Sequence, residues 1–318
     1  MMSIFHKDSA SAEFAALDTS GGKRRLRSGM VRKASASSLV FDVVVTVLGI
    51  LAAFICIIPM WHVLMCSVSD GASLLSHKGL VLWPVGGFSM DGYDILFSDD
   101  GLYIGYGNTI FYVVFTVGLG FIINVVGGYC MSRPTKLSRA FMIFFIFPLM
   151  FSGGMVSTYM VMSALGLVNS RLSVILLECT SVMNLIIGMN AFKSVPASTV
   201  EAARLDGAGV FKIMFQVMLP QCISMFTVTI LLSFVGSWNS WLTAKIYLPL
   251  DSSKWPLQLW INEIKSQYSS YLNVAFPVYA RGLVQYCVVI AAVMPILAVF
   301  PFFQDQFEKG VTIGAVKG

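Results

Sequence analysis

The chain predicts an all-α, polytopic membrane protein with six transmembrane helices, and two observations carry that expectation. Of its 318 residues, 57% are hydrophobic and only 12% charged, with a mean hydropathy of +0.79, whereas a soluble domain carries roughly 25% charged residues. The apolar residues also fall in runs of about 20, the length a helix needs to cross the hydrocarbon core of a bilayer. One aqueous core cannot hide that much apolar surface. The chain therefore reads as one membrane domain, 39–303, between a polar tail at 1–38 and a second tail at 304–318.

The first tail is rich in Ser and Ala and holds Lys23, Arg24, Arg25, Arg27, Arg32 and Lys33. The apolar run behind it, 39–66, is too long for a signal peptide and has no small-residue cleavage site, so it predicts a membrane anchor with the tail retained. Beside a span, such a basic cluster sets topology against anionic lipid and is not read as a nucleic-acid site. Further spans are expected at 108–131, 139–163, 172–191, 222–245 and 282–303. Pro148 and Ser152-Gly153-Gly154 predict a kink or break in the third, and Pro295 a bend in the sixth, because neighbouring helices can satisfy the backbone groups that such residues free. Between the last two spans, Leu257, Trp260, Ile261 and Ile264 stand at i, i+3, i+4 and i+7. That helical stripe is expected against lipid at the outer surface or against an extracytoplasmic partner.

Lysine and arginine assign the sides. One set of connections holds the N-terminal cluster, Arg133, Lys136, Arg139, Lys193, Arg204, Lys212, Lys309 and Lys317. The opposite set holds Lys78, Arg171, Lys245, Lys254, Lys265 and Arg281, offset in the long first loop by Asp70, Asp91, Asp94, Asp99 and Asp100. The positive-inside rule makes both termini and the connection between spans four and five cytoplasmic.

Several chemistries find no residues here. The six cysteines stand singly with no CxxC pair, and the three histidines, His6, His62 and His77, have no ligand spacing, so neither a disulfide framework nor a metal site is expected. The sequence has no GxxxxGK[ST], GxSxG or HExxH. No catalytic, cofactor-binding or metal residue is therefore expected, and a membrane enzyme would have no chemistry to perform.

The connection 194–221 is too polar to span and is dense in structural signals. Pro196 suits a first helical turn with Ser194 as its cap. Residues 197–206 are mostly good helix formers, and Gly207 supplies a left-handed C-terminal cap. A second short helix is expected from about Gly209 to Met218, stopped by Pro220. Small Ala202 and Ala203 would let a partner approach closely, and Glu201 could accept a charge-assisted bond from a partner cation. Glu201-Ala202-Ala203, then Gly207, then nine residues, then Val217, Met218, Leu219 and Pro220, resembles the EAA loop of ABC importer permeases, with Val217 where the family usually has isoleucine. Asn108-Thr109, the stretch 128–133 and the stretch 165–170 look like the maltose-type inner-membrane subunits. The stretches 152–159, 238–241, 255–258 and 301–318 look like a subgroup handling oligosaccharides.

That resemblance implies a type I ABC importer permease fold in a bacterial cytoplasmic membrane. It also implies a second permease subunit, separate ATP-binding subunits that hydrolyse ATP with Mg, an extracytoplasmic solute-binding protein, and a sugar or oligosaccharide cargo. Glu201, Ala202, Ala203, Asp206, Gly207 and Pro220 would couple the chain to the ATPase. Polar groups inside spans mark a pathway or interhelical packing, and Tyr159, Glu178, Asn184, Trp238 and Asn239 have the aromatic, amide and carboxylate chemistry that sugars require. In the maltose-type importers the partner permease supplies most sugar contacts. The rival expectation is an ion-coupled secondary transporter, for which Glu178 is the one acidic residue well inside a span.

Overall fold

The computed structural model describes residues 36–271 and 278–315, so the basic cluster at 23–33 and Lys317 lie outside the described residues. Among the described residues the secondary structure is helical apart from one antiparallel bridge between Ser69 and Phe88. Contacts divide the chain between Ile58 and Pro59. Helix α1 (Ala36–Ser67) carries Pro59 within it, and every side chain from Val40 to Trp61 is exposed. Apolar exposure on that scale suits lipid or a protein partner and not water.

Beyond Pro59, two short helices, α2 (Gly71–Ser76) and α3 (Asp91–Phe97), lead into α4 (Asp100–Ser132). With 33 residues α4 is about 50 Å long, and Asp99 caps its start by accepting the Gly101 N–H at 2.7 Å. It is the central post of this unit. Glycine permits its closest contact: a Cβ on Gly128 would stand 2.8 Å from the Gly188 carbonyl carbon, so the helix meets its neighbour backbone to backbone, as membrane helices do through small residues.

The next spans are bent. Helices α5 (Lys136–Met150) and α6 (Gly154–Ala164) meet at 118°, and α7 (Arg171–Glu178) and α8 (Val182–Lys193) at 46°. Pro148 stays inside α5, and the break falls after Met150, where Gly154 takes φ +77°. After α9 (Ala197–Leu205), helix α10 (Val210–Gln221) turns 83° into α11 (Ile223–Trp238). Helices α12 (Leu242–Tyr247), α13 (Leu257–Tyr271) and α14 (Val278–Ala315) complete the order. Three helices, α1, α4 and α14, contain segments long and apolar enough to cross a membrane alone, and the three bent pairs make six spans when each counts as one.

Three expectations change. The stripe on α13 packs inward: Leu257 and Ile261 are buried with Leu102, Val113, Leu283 and Val284 of α4 and α14, and Trp260 packs on the same cluster. Its partner is the protein's own core, because the Leu257 N–H also anchors to Thr109 Oγ1 at 2.8 Å. Second, α14 continues unbroken past Pro295 and Pro301 to Ala315, so the helix absorbs most of the tail expected from 304. Proline at 295 removes the N–H that would bond the carbonyl four residues earlier. That carbonyl, Ala291 O, instead accepts the Tyr106 hydroxyl at 2.6 Å, and the next, Ala292 O, accepts Trp238 Nε1 at 3.1 Å. Third, the hydroxyl of Ser194 donates to Ala191 O at 2.8 Å, so Ser194 closes α8 and does not cap α9.

Candidate functional site: a docked elbow and a polar cavity

Helices α9 and α10 form an elbow. Pro196, with φ −57° and ψ 134°, brings the chain into α9. Gly207 has φ +76°, where any β-branched residue is a steric outlier. Its N–H bonds Arg204 O at 3.0 Å, and the Ala208 N–H bonds Ala203 O, also at 3.0 Å. This pair of bonds is the glycine-closed helix end with a fixed exit direction.

Helix α10 differs from expectation. It does not stop at Pro220 but runs to Gln221, because residues Ile213–Met218 wind as a π-helix and the Leu219 N–H reaches back to Met214 O. Pro220 then sits in the first turn of the closing segment, where a missing N–H is tolerated.

The elbow's inner face is apolar and rooted in the bundle. Val200, Ile213, Met214 and Met218 bury against Val125 and Tyr129 of α4, Phe192 of α8 and Phe226 of α11. The Tyr129 and Phe192 ring centroids lie 5.7 Å apart, and those of Phe192 and Phe226 5.1 Å. Arg133 stacks 4.1 Å over the Tyr129 ring and reaches Met218 Sδ at 3.2 Å. A push on this elbow therefore acts directly on three spans. The outer face presents Glu201, Ala202, Arg204, Asp206 and Gly207, with Leu205 90% and Phe211 74% exposed beside them. Sequence reading passed over Leu205, Val210 and Phe211. Their signal was apolar character at positions that the buried helical face does not use.

The second feature is a cavity of about 490 Å³ between α8 and α11, lined by Glu178, Ser181, Met183, Asn184, Leu232, Ser233, Gly236, Ser237 and Ser240. Ser240 donates to Glu178 Oε1, and Asn184 Nδ2 donates to Ser233 Oγ at 2.9 Å. Glu178 Oε2 and Ser237 Oγ are buried without a hydrogen-bond partner, the condition of polar groups that await a ligand or water. Of the predicted path residues, the fold brings Glu178 and Asn184 together here. Trp238 is buried against Phe234 and Tyr106 while bonding Ala292 O. Asn239 bonds Val235 O of its own helix at 2.9 Å, and Tyr159 packs 5.8 Å from the Tyr247 ring. The serines of span five went unread, although Ser233, Ser237 and Ser240 stand at i, i+4 and i+7.

A helical bundle of bent spans, with an elbow docked on three of them and a polar cavity between two, is the architecture of a transport permease. The chain belongs to the family of binding-protein-dependent transport system inner membrane components, whose pattern matches residues 116–313. It is 32% identical over 285 residues to the polygalacturonan/rhamnogalacturonan transport system permease protein YtcP of Bacillus subtilis, spanning 87% of this chain and 98% of that one. It is 31% identical to Protein LplC of the same organism over 88% of this chain and 95% of that one. Its structure is similar to one chain of a bacterial ABC transporter involved in the import of the acidic polysaccharide alginate, with a TM-score of 0.77, 28% identity and coverage of 86% of this chain and 98% of that chain. The protein is thus a multi-pass ABC importer permease, a transporter subunit and not an enzyme, and the ion-coupled alternative has no support.

Proposed function

We propose that this chain is one of two transmembrane subunits of an ATP-driven importer of a sugar or oligosaccharide, coupled to a separate ATPase subunit through the elbow at 194–221. The observation that carries the reading is the elbow's two faces. One is packed into α4, α8 and α11, and the other offers Glu201, Ala202, Leu205, Asp206 and Phe211 for docking. In this reading Glu201 pairs with a basic residue of the ATPase, Ala202 allows close approach, Ala203 packs inward on the elbow's own core and not towards the partner, and the Asp206-Gly207 turn and Pro220 hold the angle between the two helices. ATP and Mg belong to the partner, and no cofactor binds this chain. Both termini are cytoplasmic in a bacterial cytoplasmic membrane, as the lysine and arginine distribution favours. The relatives' names support a carbohydrate cargo, delivered by an extracytoplasmic solute-binding protein, with Glu178 and Asn184 on the path.

Proteoliposomes test this directly. The chain reconstituted with the second permease, the ATPase and the binding protein should import labelled oligosaccharide only with internal ATP, and the chain alone should import none. Cysteine at Ser198 should label only from the cytoplasmic side and cysteine at Asp91 only from outside. Uptake by the chain alone, or reversed labelling, would overturn the assignment.

A further inference from the structure

The cavity between α8 and α11 has a sign. Its polar groups are hydroxyl and amide, Ser181, Ser233, Ser237, Ser240 and Asn184, set among apolar Met183 and Leu232, with Glu178 as its one charged lining residue. Glu178 accepts a hydrogen bond from Ser240 through Oε1, and its Oε2 is left without a partner. The nearby cations are committed elsewhere. Arg171 Nη2 donates to Asn108 Oδ1 at 2.8 Å with its guanidinium 5.0 Å over the Phe111 ring, and Lys245 pairs with Glu263 at 2.7 Å.

We propose that this cavity admits neutral, polyhydroxylated sugars and turns away carboxylated ones, with Glu178 setting the selectivity. The proposal rests on the reading of the cavity as part of the sugar path. Hydroxyl groups of a neutral glycoside can exchange hydrogen bonds with the serines and Asn184, each acting as donor or acceptor. A uronate would bring a second negative charge beside Glu178 with no lining cation between them, and such like-charge contact discriminates between partners.

The test reads the cavity without knowing the cargo. In the assembled importer, Ser181→Cys is reacted with anionic sulfonatoethyl, neutral hydroxyethyl and cationic trimethylammonioethyl methanethiosulfonates. Rates are corrected for native cysteines and normalised to a free thiol in solution. Ser181 suits the probe because it lines the cavity and its side chain makes no cap bond to α8. The anionic reagent should react about tenfold more slowly than the neutral one, the ratio that about 1.4 kcal/mol sets, and Glu178→Gln should bring the two within about twofold. Glu178→Asp should keep the gap. Should Glu178→Gln fail to assemble, Met183→Lys adds a cation at an exposed lining position and should reverse the preference. Equal rates in the parent, a gap that survives Glu178→Gln or Met183→Lys, or an introduced thiol that no reagent reaches would each overturn the proposal. Failure of the transport reading would appear instead as absent ATP-driven uptake, which the labelling ratio does not use.

Discussion

Gly207 holds the elbow through its positive φ of 76°. A Cβ there meets nothing within 4 Å, so the penalty of a substitution is backbone strain and not collision. Gly207→Val should cost about 1–3 kcal/mol locally and tilt α10 against α9. Glu201 is exposed on the outer face, and Glu201→Lys should replace an attractive contact with a repulsive one. Neither change touches span hydrophobicity. ATP-driven uptake should fall sharply in both while membrane abundance stays near normal, and crosslinking of the elbow to the ATPase should weaken. Wild-type uptake at equal abundance would remove the elbow from the coupling path. Gly128 behaves oppositely: a Cβ there meets the Gly188 backbone at 2.8 Å, so Gly128→Val should lower thermal stability in detergent, with overpacking worth about 1–3 kcal/mol.

Helix α14 illustrates how a proline is accommodated by a neighbouring span. Tyr106 on α4 supplies Ala291 O with the donor that Pro295 cannot. Tyr106→Phe should therefore leave a partly buried carbonyl unsatisfied, at about 1 kcal/mol. Pro295→Ala restores the helical N–H and should recover most of that loss, whereas a plain cavity effect at Tyr106 would not be recovered. Thermal unfolding of the two single variants and the double variant separates these outcomes. In the connections between spans, hydrogen bonds from Ser73 hold the Asp70 carboxyl below the ordinary carboxylate range, and Ser253, with Lys254, does the same for Asp251. A depressed folded pKa gives stability that is present above the unfolded value, about 3.9, and is lost as pH falls through the folded value. Protection of the Ser73 and Ser253 amides, measured against the intrinsic exchange rate at each pH, should accordingly be high at neutral pH and fall in acid. Asp70→Asn should abolish that pH dependence at Ser73.

For the molecule as a whole, the arrangement turns on α4. Its C-terminal half, with Val125 and Tyr129, meets the elbow, and its N-terminal half clamps the connection before α13. There Asn108 Nδ2 donates to Ser253 O at 2.8 Å and Trp255 O at 3.0 Å, while the Tyr112 hydroxyl donates to Lys254 O at 2.9 Å. One continuous helix thus links the elbow to the connection before α13. Asn108→Leu should free the 251–256 segment, seen as faster limited proteolysis there with little change at the elbow. If instead the whole chain becomes protease-sensitive, the clamp is part of the global core.

Apolar runs of span length, the lysine and arginine pattern, and the EAA signature were enough to write the helical class, the number of spans and the elbow with its glycine turn. All of these follow from local composition, chain length and single-residue backbone preference. The sequence alone could not say where α10 ends, because the π-helical turn that precedes Pro220 depends on packing against Tyr129 and Phe192. Nor could it say that the α13 stripe faces the core, since lipid and protein interior reward the same apolar pattern. The residues expected on a path were divided by long-range contacts: Trp238 was drawn to the Ala292 carbonyl near Pro295, while Glu178 and Asn184 met three serines whose spacing carried no meaning until α8 stood opposite α11. Local chemistry determined which groups were available, and only the tertiary fold decided which of them share a cavity, because the partners lie dozens of residues apart in the chain.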